Sequence, residues 1–423
     1  MNTVSYQALN QTVHHTLLHN GLSVYVMPMP GFSKSHACFA THYGGVDLNF
    51  AAGGTHHATP AGVAHYLEHK MFDMPDGENI METFAKQGAL PNAYTSVDVT
   101  NYHFECTERF DDNLRTLLRY VSTPHFTDES ADKERGIIEQ EIRMVEDSPA
   151  RMIFYNMLTG LYRHHHIRIP IAGTVESIAG INADILNLCY QTFYSPGQMV
   201  LCAAGEIDPQ AVFAIAEEMI PARKIGAVAR DYGPEDHDRA DQAVYAKQME
   251  VSLPLFMAGF KISPPDKGAA AFRAELLNEL ACETLTGKSS PLYAELYNRG
   301  LVNNQYEYGY FGFSGGACLI AGGESRDPAA VCDALWQAAA DAGSTLDRAL
   351  FERLKKAAFG SQLQQLDDPD AICRAVMRAH FQGYDHFTFP EVFNSLTFED
   401  AIDALTRGMS QQRTTLSRID PAG

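Results

Sequence analysis

The 423-residue sequence predicts two α/β domains of common ancestry joined by a linker. Three observations carry that expectation. The chain is too long for one ordinary core and fits two domains of about 200 residues each. Residues 226–248 are charged, poor in large apolar side chains and carry Gly233-Pro234, a linker composition. The half after the linker replays the strand-and-helix order of the half before it. Two stretches even look alike, Glu134-Arg135 … Asp147-Ser148-Pro149 and Glu352-Arg353 … Asp368-Pro369, each followed by a helical pattern. The expected division is therefore 1–225, a linker over 226–248, and 249–423.

Element by element, His19-Asn20-Gly21 is a turn signal ahead of a strand at Leu22–Met27, and Ala37–Tyr43 alternates in the same way. A helix is expected over 62–72. A second falls at Glu78–Gln87, where apolar residues recur at helical spacing and Gly88 supplies the stop. Ala93–Phe104 is rich in β-branched and aromatic residues and reads as one strand. Helical patterns run through Asp111–Val121, Asp132–Asp147 and from Ala150 towards Arg163, and Met199–Ala204 reads as a buried strand ending at Gly205. Beyond the linker, Leu255–Ile262 is a strand and Ala269–Leu285 a helix. Gly309–Gly323 is a glycine-rich strand pair, and Asp347–Leu366 and Ala371–Phe381 are helices.

Apolar residues make up 45% and charged residues 20%, a globular composition. Lys and Arg number 32 against 52 Asp and Glu, a net charge of −20. Such a surface repels phosphate backbones and anionic headgroups, so neither nucleic acid nor a membrane surface is an expected partner. No basic stretch leads into an apolar run at the N-terminus, and no apolar stretch approaches the ~18 residues a bilayer span needs. The eight cysteines are scattered without a C-x-x-C pair, as expected of reduced, packed thiols in a cytoplasmic protein.

The chemistry is concentrated in His65-Tyr66-Leu67-Glu68-His69, an H-x-x-E-H pattern. Positions four apart share a helix face, so both imidazoles reach one metal. Glu68 lies beside that face, placed to bind a water rather than the metal. Catalytic zinc requires a third protein ligand and an open position. Some 70 residues on, a second helical pattern carries Glu134 and Glu141, seven apart and on one stripe. Glu139 stands about 200° round the helix from Glu141 and should face away. Without the histidines, an exposed salt-bridged face would be the simpler account of these acids.

Five stretches in this order resemble the insulinase/pitrilysin family of metallopeptidases, which includes the mitochondrial processing peptidase. They are Leu18–Val24, Pro60–Phe72, Asn92–Ser96, Glu134–Glu141 and Ala172–Ile178. Within the family the sequence is most similar to bacterial subunits associated with aminopentanol modification of elongation factor P. The resemblance implies an α+β fold of two homologous domains, each a mostly antiparallel sheet packed with helices, arranged as half of a clamshell. It implies Zn2+ held by His65, His69 and Glu141, with Glu68 as general base and Glu134 as supporting acid. Asn92 and Ala93 match the edge-strand residues that hold a peptide backbone by strand addition. The implied activity is cleavage of unfolded peptides by a zinc endopeptidase subunit. The implied partner is a homologous subunit, in a heterodimer or a homodimer.

One stretch departs from the family. Active relatives carry L-R-x-x-x-G-L-x-Y in their second half, whereas here Leu296-Tyr-Asn-Arg-Gly-Leu-Val-Asn303 keeps only the Gly-Leu step. Arg299 and Tyr306 retain a seven-residue spacing but are shifted relative to Gly300. The inference is division of labour, this chain bringing zinc and its partner the Arg/Tyr pair. A non-catalytic scaffolding subunit is the alternative. His164-His-His166 lacks ligand spacing, and Trp336 sits in a helical apolar stripe and is expected in the core.

Overall fold

The computed structural model describes residues 2–222, 226–234, 238–263 and 267–422; Glu235–His237 of the expected linker lie outside them. Contacts divide the chain into two compact units. The first comprises residues through Ile142, Pro170–Tyr232 and Leu363–Phe387, and the second Arg143–Ile169, Gly233–Gln362 and the chain from Thr388 on. Both are α/β, with a mixed sheet packed against helices.

The first unit contains β1 (Asn2–Tyr6), β2 (Gln11–Leu17), β3 (Ser23–Pro28), β4 (Ser35–Thr41), β5 (Asn49–Ala52), β6 (Thr55–Ala58), β7 (Ala89–Thr95), β8 (Thr100–Cys106), β9 (Met199–Gly205) and β10 (Ala229–Asp231). Seven of them form one sheet in the order β1-β2-β3-β9-β4-β8-β7, antiparallel except for β3 beside β9. The β2–β3 turn places Gly21 at φ +93°, where a residue with a Cβ is strained. β4 and β9 are buried along their whole length, which accounts for their near-continuous apolar runs. A second, three-stranded sheet runs β10-β5-β6. Its β10 lies in the charged 226–248 segment and is fastened by Arg230, whose Nε is 3.1 Å from the buried Asp47 Oδ1.

The expected single strand over 93–104 is a hairpin of β7 and β8. Both halves have strand composition, and Ser96 makes the reversal between them. Its N–H and its hydroxyl both donate to Val99 O, at 2.7 and 3.0 Å. β7 ends up at the edge of the large sheet.

The second unit contains β11 (Val244–Met249), β12 (Leu255–Ile262), β13 (Glu307–Phe313), β14 (Gly316–Glu324) and β15 (Thr414–Pro421). They form a sheet in the order β11-β15-β12-β14-β13, in which only β11 and β15 are parallel. The Pro149–Leu161 helix lies close against β12 and β15. The approach needs glycine on both sides. A Cβ at Gly259 would fall 2.1 Å from Met157 Sδ, and one at Gly160 would fall 2.3 Å from Thr415 Cγ2. Trp336 is only half-buried, contrary to expectation, and its indole N–H donates to Thr414 Oγ1 at 2.8 Å. No helix among the described residues is long and apolar enough to cross a membrane. All eight cysteines are buried and unbridged.

Candidate metal centre

The helix that carries the histidines spans Val63–Lys70, shorter than the expected 62–72. Gly62 starts it at φ +94°, and a Cβ there would fall 2.4 Å from Ala172 O. Val63, Ala64, Tyr66 and Leu67 are buried against the first unit's core, which turns His65 and His69 to the opposite side. Their ring centroids lie 4.6 Å apart.

The glutamates come from the Asp128–Glu146 helix, which buries Ala131, Ile138 and Ile142. Tyr66 anchors the two helices by donating its hydroxyl to Ala131 O. Glu141 Oε2 then lies 3.5 Å from His65 Nε2 and 3.6 Å from His69 Nε2. A tetrahedral ion with bonds near 2.0–2.1 Å sets its ligand atoms about 3.3 Å apart, so this donor set fits zinc. Glu139 is absent from the cluster, as its helical position requires.

Glu134, two turns before Glu141 on the same stripe, stands behind the cluster. The His69 Nδ1–H donates to its Oε1 at 2.9 Å, which in the neutral ring turns the lone pair of Nε2 toward Glu141. The bond to His69 holds the Glu134 carboxyl below its usual range despite partial burial. Burial works against a charged His69, yet the bond to Glu134 and the charges of Glu141, Glu134 and Glu68 raise its pKa. Burial, reinforced by the His69 charge, pushes His65 down to about 4, so its ring is neutral near pH 7.

Glu68 is 9% exposed, and burial pushes its carboxyl upward against the opposing bond from Thr95. Thr95 Oγ1–H donates to Glu68 Oε2 at 2.6 Å. Sequence reasoning assigned Thr95 no role; its alternation with Ala93 along β7 was the available signal. It also assigned none to Lys70. That side chain is only 2% exposed, with Nζ bonded to Asp73 and 4.0 Å from Glu134 Oε2, where it offsets the local negative charge. Asn92 and Ala93 lie on edge strand β7, which packs beside the histidine helix. Asn92 is exposed and turns its Oδ1 to the Ala93 N–H at 2.9 Å.

In the second unit, Arg299 pairs with Glu295 one helical turn away at 3.0 Å, and both are more than half exposed. Tyr306 is 2% exposed, and its hydroxyl bonds to that of Thr286. The shifted pair is thus occupied locally. His165 accepts the Ile167 N–H at Nδ1 and approaches Ser314 O at 3.0 Å with Nε2, a capping role with no metal-ligand geometry.

Fold and centre together define an α/β pair with one His/His/Glu cluster on an H-x-x-E-H helix, the arrangement of an insulinase-type peptidase. Residues 41–175 match the profile Insulinase (Peptidase family M16), and residues 180–358 match Peptidase M16 inactive domain. The chain belongs to this family. It is 33% identical over 428 residues to the "Uncharacterized zinc protease YmfH" of Bacillus subtilis, covering 99% of each chain. A shorter stretch of 177 residues is 29% identical to the mitochondrial-processing peptidase subunit beta of Caenorhabditis elegans, 41% of this chain and 39% of that one. Among solved structures, the putative M16-like peptidase of Alicyclobacillus acidocaldarius superposes with a TM-score of 0.93. It is 31% identical, and the match covers 99% of this chain and 100% of that one.

Proposed function

We propose that this chain is a zinc endopeptidase subunit that hydrolyses unfolded peptides and is completed by a homologous partner. The observation that carries this reading is the position of Glu141 Oε2, nearly equidistant from the two imidazole Nε2 atoms, with Glu68 beside them. His65, His69 and Glu141 would hold Zn2+. When bound, zinc supplies polarisation of the scissile carbonyl and a lowered pKa for water.

The remaining steps belong to the protein's own groups. Thr95 engages Glu68 Oε2, so Oε1 is left to take a proton from the attacking water and return it to the departing amine. Glu134 orients His69 through Nδ1. The backbone of Asn92 and Ala93, on the edge of the sheet, adds a substrate segment as a further strand. The sequence division stays part of the proposal: 1–225 zinc-binding, 226–248 linker, 249–423 without zinc ligands. So do a cytoplasmic location, in keeping with eight buried thiols, and the kinship with subunits associated with elongation factor P modification.

A scaffolding subunit is the second reading, favoured by one observation. Leu296–Asn303 lacks the family's Arg and Tyr, and Tyr306 is buried against Thr286. Turnover of an unstructured peptide by zinc-loaded protein, alone and with a homologous partner, separates the two. Glu68→Gln should retain zinc and lose ~10²–10⁴-fold in rate. No cleavage under either condition would leave only the scaffold.

A further inference from the structure

The first unit contains a second convergence of metal-ligand side chains, which shares no residue with the H-x-x-E-H cluster. His36 is on β4, His103 on the neighbouring β8, and Asp370 on the Pro369–Gln382 helix that packs across β4 and β9. One ligand atom from each lies within 4.8 Å of the other two, the same measure met by His65, His69 and Glu141. Among the described residues only these two groups of three meet it.

The local bonding singles this cluster out. The His36 side chain is 1% exposed, yet neither of its ring nitrogens has a hydrogen-bond partner among the described residues. Buried polar atoms are almost always bonded, so an imidazole with both nitrogens unmatched calls for a cause. Its Nε2 points at Asp370 Oδ1, 3.4 Å away, close to the ~3.3 Å edge of a tetrahedral zinc site. That oxygen also lacks a hydrogen bond, because Arg374 takes the other one, Oδ2, at 2.6 Å. The two imidazole rings stand 5.1 Å apart, near the 4.6 Å of the His65–His69 pair.

Sheet register explains the convergence. His36 and Cys38 share a face of β4, and the cross-strand partner of Cys38 on β8 is His103. The partner of Cys38 on β9 is Cys202, so a band of soft and borderline donors runs across three strands on this face. Cys373, one turn along the helix from Asp370, donates its thiol to His36 O at 3.9 Å, which fixes the helix over that band. His103 and Asp370 are partly exposed, which leaves an ion a route in.

We infer that His36, His103 and Asp370 form a second site for a divalent transition-metal ion such as Zn2+, separate from the centre on the Val63–Lys70 helix. Two imidazoles and one carboxylate are a donor set for zinc or cobalt(II), and unsuited to the oxygen-loving Ca2+ or Mg2+. An ion there ties residue 370 to strands more than 260 residues earlier in the chain. Its role is to fasten the Pro369–Gln382 helix to the sheet.

The test is metal binding by the full chain, stripped with chelator and then dialysed against buffered micromolar Zn2+. Wild type should hold two equivalents. The triple variant His65→Ala/His69→Ala/Glu141→Ala should keep one. Adding His103→Gln or Asp370→Asn to that variant should remove it, together with the zinc-dependent rise in melting temperature. These two substitutions are at partly exposed positions, and circular dichroism checks that the variants remain folded. A folded triple variant that binds no zinc would overturn the inference. So would a residual equivalent, or a residual thermal shift, that survives both His103→Gln and Asp370→Asn. Neither result bears on the first centre, since its ligands are already absent from the tested protein.

Discussion

Thr95 on β7 donates its hydroxyl to Glu68 Oε2 at 2.6 Å, so the edge strand expected to bind substrate also holds the candidate base. A carboxylate with one oxygen engaged and 9% exposure has little rotational choice, which aims Oε1 at whatever lies over the histidines. Thr95→Val keeps the shape and removes the donor. We expect peptide turnover to fall about tenfold or more, the worth of a hydrogen bond to a charged group, while zinc content is unchanged. Thr95→Ser should restore the rate. Full activity in the valine variant would mean that Glu68 is positioned by something else.

Each ligand variant should tell a different story from the variant behind it. His65→Ala, His69→Ala and Glu141→Ala leave two protein ligands and should each lose the one zinc equivalent of this centre. Glu134→Gln keeps an acceptor for His69 Nδ1–H but removes the charge, and should weaken zinc binding about 10–100-fold. Glu139→Ala should leave zinc untouched. Elemental analysis after dialysis against a zinc buffer reads all five; zinc lost in Glu139→Ala alone would move the third ligand.

The shifted Arg299 and Tyr306 should prove dispensable for cleavage. Arg299 makes an exposed i, i+4 pair, so Arg299→Ala should change stability by less than about 0.5 kcal/mol. Tyr306→Phe strips the bond to Thr286 and should cost about 1 kcal/mol of stability with no effect on partner-dependent turnover. A large drop in turnover from either change, at intact stability, would revive them as substrate contacts and remove the need for a partner's pair.

Acid should weaken the first unit before it unfolds globally. Burial lowers His65, His380 and His386 to about 4 in the metal-free protein. Between about pH 6.5 and 4 the unfolded chain therefore binds protons at these histidines that the folded chain does not. Stability is then present above the ordinary histidine pKa and lost as pH falls toward 4. Asp47, pushed up to about 7 by burial despite Arg230, acts in the opposite sense, as do the raised Glu68 and His69, but burial also lowers His15 and His103, so five histidines outnumber these three groups. Melting temperatures of metal-free protein should rise with pH across this window, and His380→Gln should flatten the slope. A flat profile in the unaltered chain would show that these rings are hydrated.

How much of this was legible beforehand depends on the range of the interaction. Helical spacing is local, so His65, Glu68, His69, Glu134 and Glu141 could be assigned to common faces from the sequence alone. The same holds for the glycine-rich hairpin at 307–324. Local composition was insufficient where strand patterns adjoin. Ala93–Phe104 read as one strand because nothing in its alternation marks the Ser96 reversal, and that reversal makes β7 an edge. The second donor cluster had no sequence signal at all, since positions 36, 103 and 370 meet only through strand register and a helix from the far end of the chain. Local pattern was enough to recognise the family and to expect two α/β units, and it proposed His65, Glu68, His69, Glu134 and Glu141 for the first centre. Packing between distant elements is what sets Thr95 on Glu68, Tyr306 on Thr286 and His36 toward Asp370. Contacts between residues remote in sequence depend on how whole elements pack, and no local pattern encodes that packing.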